Sequence, residues 1–289
     1  MNRRDVLKSL ALGGCALALP GPMVRAATVP DAASLAALEQ KYGGRLGVSI
    51  LDTGSGARLR LHGDQRFLMC STFKLLAVAA VLARIDVGEE RLDRRIVFGP
   101  EDVLAYAPVT GPRVGPPGMS VEELCAAAIT VSDNTAANVL LASMGGPAAV
   151  TRFVRGAGDP VTRLDRIEPE LNVGSPGDER DTTTPDAMLA TMQALLLGQV
   201  LAAASRERVL AWLRACTTGL DQLRADLGAG WTAGDKTGSG SQNESNDVAV
   251  FFPPQRQPIL VTAYYAQSTQ PLARRHALLA EVGRLAASV

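Results

Sequence analysis

A serine three residues ahead of a lysine, Ser71-Thr72-Phe73-Lys74, opens the longest apolar helical run in the chain. At a helix start the first N–H groups lack partners, the dipole is positive, and positions three apart share a face. A hydroxyl at Ser71 with the Lys74 amine in reach supports nucleophilic serine chemistry without histidine. That matters because the chain has two histidines, His62 and His276, which leaves little for a His-based triad or a His-ligated metal. Ser132-Asp133-Asn134 interrupts a second helical stretch and offers a hydroxyl and an amide at one point; its plainer reading is an N-cap for a helix beginning at Thr135. Lys236-Thr237-Gly238, followed by Ser239-Gly240, supplies a cation, hydroxyls and glycines that let a ligand approach the backbone, or else a strand ending in a turn. Taken singly, each motif is explained more simply by its structural reading. Together, in this order and spacing, the three point to one site.

The elements that must position these residues follow from the periodicity. Leu46 to Asp52 and Ala57 to Leu61 flank Thr53-Gly54-Ser55-Gly56, a hairpin pattern preceded by a short helix at Ser34 to Glu39. From Ser71 to about Arg214 the chain reads as Ala/Leu-rich helices, among them Phe73 to Ile85, Val121 to Met144 and Pro185 to Leu197, separated by Gly/Pro loops. Strand patterns return at Trp231 to Ser239, Asp247 to Phe252 and Ile259 to Tyr265, before a last amphipathic helix from about Pro271 to Ala287. Strands thus come from both chain ends and helices from the middle. This order predicts an α/β two-domain protein: a five-stranded antiparallel sheet flanked by helices (27–62 and 215–289) with an inserted all-α domain (63–214), and the site at their interface.

Of the 289 residues 47% are apolar and 20% charged, enough for a substantial core. Lys+Arg and Asp+Glu number 29 each and no basic stripe is present, which argues against nucleic acid as a partner. Four cysteines, none in a zinc-type cluster, imply neither a disulfide scaffold nor a structural metal. Residues 1–26 read as a secretory signal peptide, with a basic start (Arg3, Arg4, Lys8) and an apolar stretch broken by Gly13, Gly14 and Pro20. That stretch is short of the roughly 20 apolar residues a membrane span needs. Asn2-Arg3-Arg4-Asp5-Val6-Leu7-Lys8 resembles a twin-arginine export signal, whereas Leu12-Gly13-Gly14-Cys15 offers the alternative of acylation at Cys15. Cleavage after residue 26 removes four basic residues and one acidic residue, leaving 25 against 28.

The three motifs, with Tyr106-Ala107-Pro108-Val109-Thr110, the run from Arg163 through Glu168-Pro169-Glu170-Leu171-Asn172, and Asp178-Glu179-Arg180-Asp181-Thr182-Thr183-Thr184-Pro185, resemble the class A serine β-lactamases over essentially the whole mature chain. The resemblance implies hydrolysis of penicillins and cephalosporins through a serine acyl-enzyme, and hence antibiotic resistance, by an exported, periplasmic monomer needing no cofactor or metal. It implies that Ser71 is the nucleophile, with the backbone N–H groups of Ser71 and Ser239 as oxyanion hole. Glu168 and Asn172 would hold the hydrolytic water, Glu168 as general base, while the acylation base is Lys74 or Glu168. Ser132 would relay a proton to the lactam nitrogen under the influence of Lys236. Asn134 would bind the acylamide, Thr237 and Ser239 the substrate carboxylate, and Tyr106 would wall the entrance. Arg166 and Asp181 would close the loop carrying Glu168, the alternative being a surface ion pair worth under about 1 kcal/mol.

Departures from the family pattern shape three further expectations. Val78 and Gly240 stand where relatives place cysteines that pair with residues matching Cys125 and Cys70, so Cys70, Cys125 and Cys216 should be free thiols. No arginine stands in Asn246-Asp247-Val248-Ala249, where some members place one to bind the carboxylate, which leaves Arg275, or Arg274, to supply that charge. The competing functions are a penicillin-binding D,D-peptidase, which would lack the Glu168 to Asn172 pair, and a β-lactam receptor domain, which would be tethered to a membrane helix and also lack Glu168.

Overall fold

The computed structural model describes residues 31–175 and 177–289; the export signal and Cys15 lie outside the described residues. Five strands form one antiparallel sheet: β1 (Arg45–Asp52), β2 (Arg58–Leu61), β3 (Thr232–Ser239), β4 (Ser245–Phe252) and β5 (Ile259–Ala266), in the order β2-β1-β5-β4-β3. Strands from the two ends of the chain therefore meet at the sheet centre, where β1 pairs with β5 from Arg45 opposite Ala266 to Asp52 opposite Ile259. The helices are α1 (Ala32–Tyr42), α2 (Phe73–Asp86), α3 (Val121–Thr130), α4 (Asn134–Ser143), α5 (Pro147–Gly156), α6 (Pro185–Leu196), α7 (Ala203–Arg214) and α8 (Leu272–Ala287).

Alternation along the strands divides the interior in two. Ala249, Phe251, Val261, Ala263 and Tyr265 enter a cluster with Leu35 and Leu38 of α1 and Leu278, Leu279 and Val282 of α8. Val248, Val250, Leu260 and Tyr264 point the other way, into the larger cluster built on the helices. Successive side chains of a strand point to opposite faces, so a sheet covered on both faces feeds two clusters with apolar runs that are buried almost throughout. Residues 75 to 82 of α2 are all buried, so this helix is apolar all round and runs through the centre of the helical layer. A helix so placed anchors the short turn that leads into it, Cys70–Thr72, which carries the nucleophile candidate. The single helix expected from Val121 to Met144 is two, α3 and α4, because Ser132 adopts a left-handed φ of 60° and Asp133 caps α4 by accepting from Ala136 N at 2.9 Å. Cys70, Cys125 and Cys216 are all free and buried, as expected.

Candidate active site

Ser71 lies in a single 3-10 turn, Cys70–Thr72, that runs directly into α2. Strand β3 passes against this turn so closely that a Cβ on Gly238 would sit 2.8 Å from the Met69 carbonyl oxygen and 3.2 Å from Ser71 N. Only glycine permits that approach, which brings the backbone of β3 beside the serine. The Ser71 hydroxyl donates to Glu168 Oε1 at 3.2 Å.

Lys74, one helical turn on, is fully buried. Its ammonium donates to the Ser132 carbonyl at 2.8 Å, Asn134 Oδ1 at 2.6 Å and Ser132 Oγ at 3.2 Å, and pairs with Glu168 Oε1 at 3.1 Å. Burial lowers its pKa to about 8 against the opposing pull of the Glu168 charge. Lys236 is also buried, donating to Ser132 Oγ at 3.0 Å and the Thr237 carbonyl at 2.8 Å; burial lowers its pKa too. The Ser132 hydroxyl thus accepts from two buried cations, an arrangement that frees its own proton to be donated elsewhere.

Glu168 is held on both sides. Its backbone N–H donates to Asn138 Oδ1 at 3.0 Å and its carbonyl accepts from Asn138 Nδ2 at 2.8 Å, while Asn172 Nδ2 donates to Glu168 Oε2 at 2.5 Å. The loop bearing it closes through Arg166 and Asp181, whose Nε to Oδ2 distance is 2.5 Å. Asp181 is buried and its Oδ1 accepts from the N–H groups of Asp165 and Arg166, and Arg166 also donates to the Val173 carbonyl at 2.8 Å. This is not the surface ion pair of the alternative reading.

The cleft between these groups measures about 340 Å³ and is lined by Ser71, Ser132, Asn134, Asn172, Thr237 and Ser239, with half-exposed Tyr106 at its edge. A larger depression of about 520 Å³, bordered by Arg66, Asp159 and Asp186, lies elsewhere and holds none of the motif residues. One expected residue does not join the site. Arg275 is buried against the β3–β4 turn, donating to the Asn243 carbonyl and Ser245 Oγ at 2.8 Å each, because the first turn of α8 presses its guanidinium onto those oxygens. Arg274 stacks over the Tyr42 ring instead. The cleft wall is completed by Thr218, Gln222, Leu272 and His276, which sequence reasoning missed. His276 Nδ1 lies 2.8 Å from Asp221 Oδ2. Asn138 was missed as well, although a second asparagine four residues after Asn134 in an otherwise apolar helix is a visible signal.

Residues 31–289 match the model of the "Beta-lactamase enzyme family". Among curated proteins, "Beta-lactamase FAR-1" of Nocardia farcinica is 50% identical over 253 residues, covering 87% of this chain and 80% of that protein. "Beta-lactamase CTX-M-8" of Citrobacter amalonaticus is 43% identical over 251 residues, covering 87% and 86%. Among solved structures, "Ancestral (GNCA) Beta-lactamase class A" superposes with a TM-score of 0.86 at 59% identity, covering 88% of this chain and 97% of that one. With likeness in sequence and fold over nearly the whole described chain, the protein belongs to the β-lactamase enzyme family as a class A serine β-lactamase.

Proposed function

We propose that the protein opens the β-lactam amide of penicillins and cephalosporins with Ser71 and releases the product through a water activated by Glu168, conferring resistance to these antibiotics. The observation that carries this reading is the convergence of Ser71, Lys74, Ser132 and Glu168 within hydrogen-bond distance in a buried cluster. In acylation, Ser71 Oγ bonds to the lactam carbonyl carbon as its proton leaves. Its hydrogen bond to Glu168 Oε1 supports Glu168 as the acceptor. The developing oxyanion is met by the N–H groups of Ser71 and Ser239, the C–N bond breaks, and Ser132 passes a proton to the leaving nitrogen, replenished from Lys74. Glu168 then returns its proton to Lys74 across their 3.1 Å contact. In deacylation a water held by Glu168 and Asn172 loses a proton to Glu168 as it attacks the ester carbonyl, the Ser71 oxygen leaving with that proton taken back from Glu168. Asn134 receives the acylamide, and Thr237 and Ser239 the carboxylate. The enzyme works as a monomer in the periplasm after export on its N-terminal signal, without cofactor. Steady-state hydrolysis of a chromogenic cephalosporin is the test: many turnovers per molecule are expected, and a single stoichiometric burst would instead indicate a D,D-peptidase or a receptor.

A further inference from the structure

Two buried carboxylates stand outside this reaction. Asp247 on β4 lies directly opposite Thr237 on β3, and Asp235 lies opposite Ala249, so Asp235, Thr237 and Asp247 all face one side of the sheet, with the two carboxylates as diagonal neighbours. Both are wholly buried, and each keeps one buried oxygen without a partner, Asp235 Oδ2 and Asp247 Oδ1. Their other oxygens hold the segment between α7 and β3. Asp235 Oδ1 accepts from Arg224 at 2.7 Å, and Asp247 Oδ2 accepts from Leu223 N at 3.1 Å. A Cβ on Gly219 would lie 1.9 Å from Asp235 Oδ2, so the segment rests directly on that orphan oxygen. The same segment presents Thr218 and Gln222 to the substrate cleft, and Thr218 Oγ1 lies 2.6 Å from Thr237 Oγ1.

We propose that Asp235 and Asp247 form a positioning unit, a carboxyl pair that holds one proton in common and thereby fixes the Thr218–Gln222 wall of the cleft. One proton would satisfy both orphan oxygens at once, whereas two ionised carboxylates facing a single guanidinium would leave an unpaired buried charge. Arg224 and Cys216 lie beside Asp235, while the side chains of Lys236 and Tyr264 project from the opposite face of the sheet, with the Lys236 charge favouring ionisation of both carboxyls. Burial raises the pKa of both carboxyls, that of Asp247 well above the ordinary range, and the Asp235 charge adds to the rise at Asp247.

Asparagine at 247 mimics the protonated acid and alanine does not, so the two substitutions separate the shared proton from mere filling of space. Asp247→Asn should keep the KM for benzylpenicillin within about twofold, whereas Asp247→Ala should raise it on the order of tenfold with kcat little changed. Equal damage by both variants would overturn the shared proton, and an unaffected Asp247→Ala would overturn the positioning role. The KM readout rests on the proposed function; a thermal readout does not. A carboxyl whose folded pKa is raised gives stability that is present at low pH and lost as pH rises, so the melting temperature of the parent should fall relative to that of Asp247→Asn between about pH 5 and 9. A constant difference across that range would mean that both groups are ionised and would sink the proposal even if the protein had no β-lactamase activity.

Discussion

The two walls of the cleft are built on different physical terms. On the helical side Lys74 and Glu168 are buried, and Ser132 nearly so, each tied by two or more short hydrogen bonds or ion pairs within one closed cluster. On the strand side Ser239 is exposed, Thr218 lies in a loop, and His276 and Leu272 enter from the first turns of α8. The dry wall holds groups whose charges must be set before substrate arrives, since electrostatic interactions are strong only where water is excluded. The open wall holds groups that, on the proposed function, would select among substrates and could be exchanged at small cost. Chemistry and recognition are therefore separable by mutation here, and the largest effects should come from the dry wall.

Replacing Glu168 by glutamine tests that wall most directly. An amide of the same shape keeps the Asn172 contact and cannot accept the water's proton, so deacylation should stall with kcat lower on the order of 10³-fold. Mass spectrometry after mixing with benzylpenicillin should show a persistent adduct on Ser71. Turnover equal to the parent would remove Glu168 from its role.

Titration of Lys74 gives the next effect. Its pKa is lowered to about 8, chiefly by burial, so raising the pH through that value removes the ammonium that donates to Ser132 and Asn134. If the cation is the working form, kcat/KM for benzylpenicillin should fall above this pH by up to about tenfold per unit. A rise through the same region would instead make neutral Lys74 the acylation base.

The same division explains what was legible in the sequence. Part of the dry wall was legible because its chemistry demands fixed residue types at short range, Ser71 and Lys74 one turn apart and Ser132 and Asn134 on the two sides of a helix break, whereas Glu168 entered through the family resemblance and Asn138, which holds it, was missed. The sheet was legible because short apolar runs bounded by turn residues, and the Gly-rich hairpin after Asp52, are local signals. Arg275 misled because the direction of a side chain on the first turn of α8 is set by packing against the β3–β4 turn, which no local pattern records. Thr218 and Gln222 were invisible for the same reason, lying in a loop without periodicity. The position of Asp247 opposite Thr237 depends on strand register, which becomes readable only once β3 and β4 are paired.

On the open wall, Ser239 should act on spectrum more than on rate. Its hydroxyl stands beside Thr237, where the proposed function puts the cephalosporin carboxylate, and a hydrogen bond to a charged group is worth about 1.5–3 kcal/mol, or roughly tenfold to more than a hundredfold. Ser239→Ala should therefore lower kcat/KM for cephalosporins, some oxyimino compounds included, more than for benzylpenicillin. Equal losses on both classes would show that Ser239 does not set the spectrum.

The smallest effect separates two neighbours on α8. His276 lines the cleft and is oriented by Asp221, whereas Arg275 points into the β3–β4 turn and touches no part of the cleft surface. His276→Asn, and to a lesser extent Asp221→Asn, should raise the KM for cephalosporins about two- to tenfold, the worth of one ordinary hydrogen bond, with kcat unchanged. Arg275→Gln should leave KM alone and destabilise the fold by about 1–3 kcal/mol, because the Asn243 carbonyl and Ser245 hydroxyl lose a buried donor. Denaturant melts and Michaelis curves on the same preparations distinguish the two. If Arg275→Gln raises KM while the melt is unmoved, the guanidinium reaches substrate after all, and the open wall owes its positive charge to the arginine that the sequence first suggested.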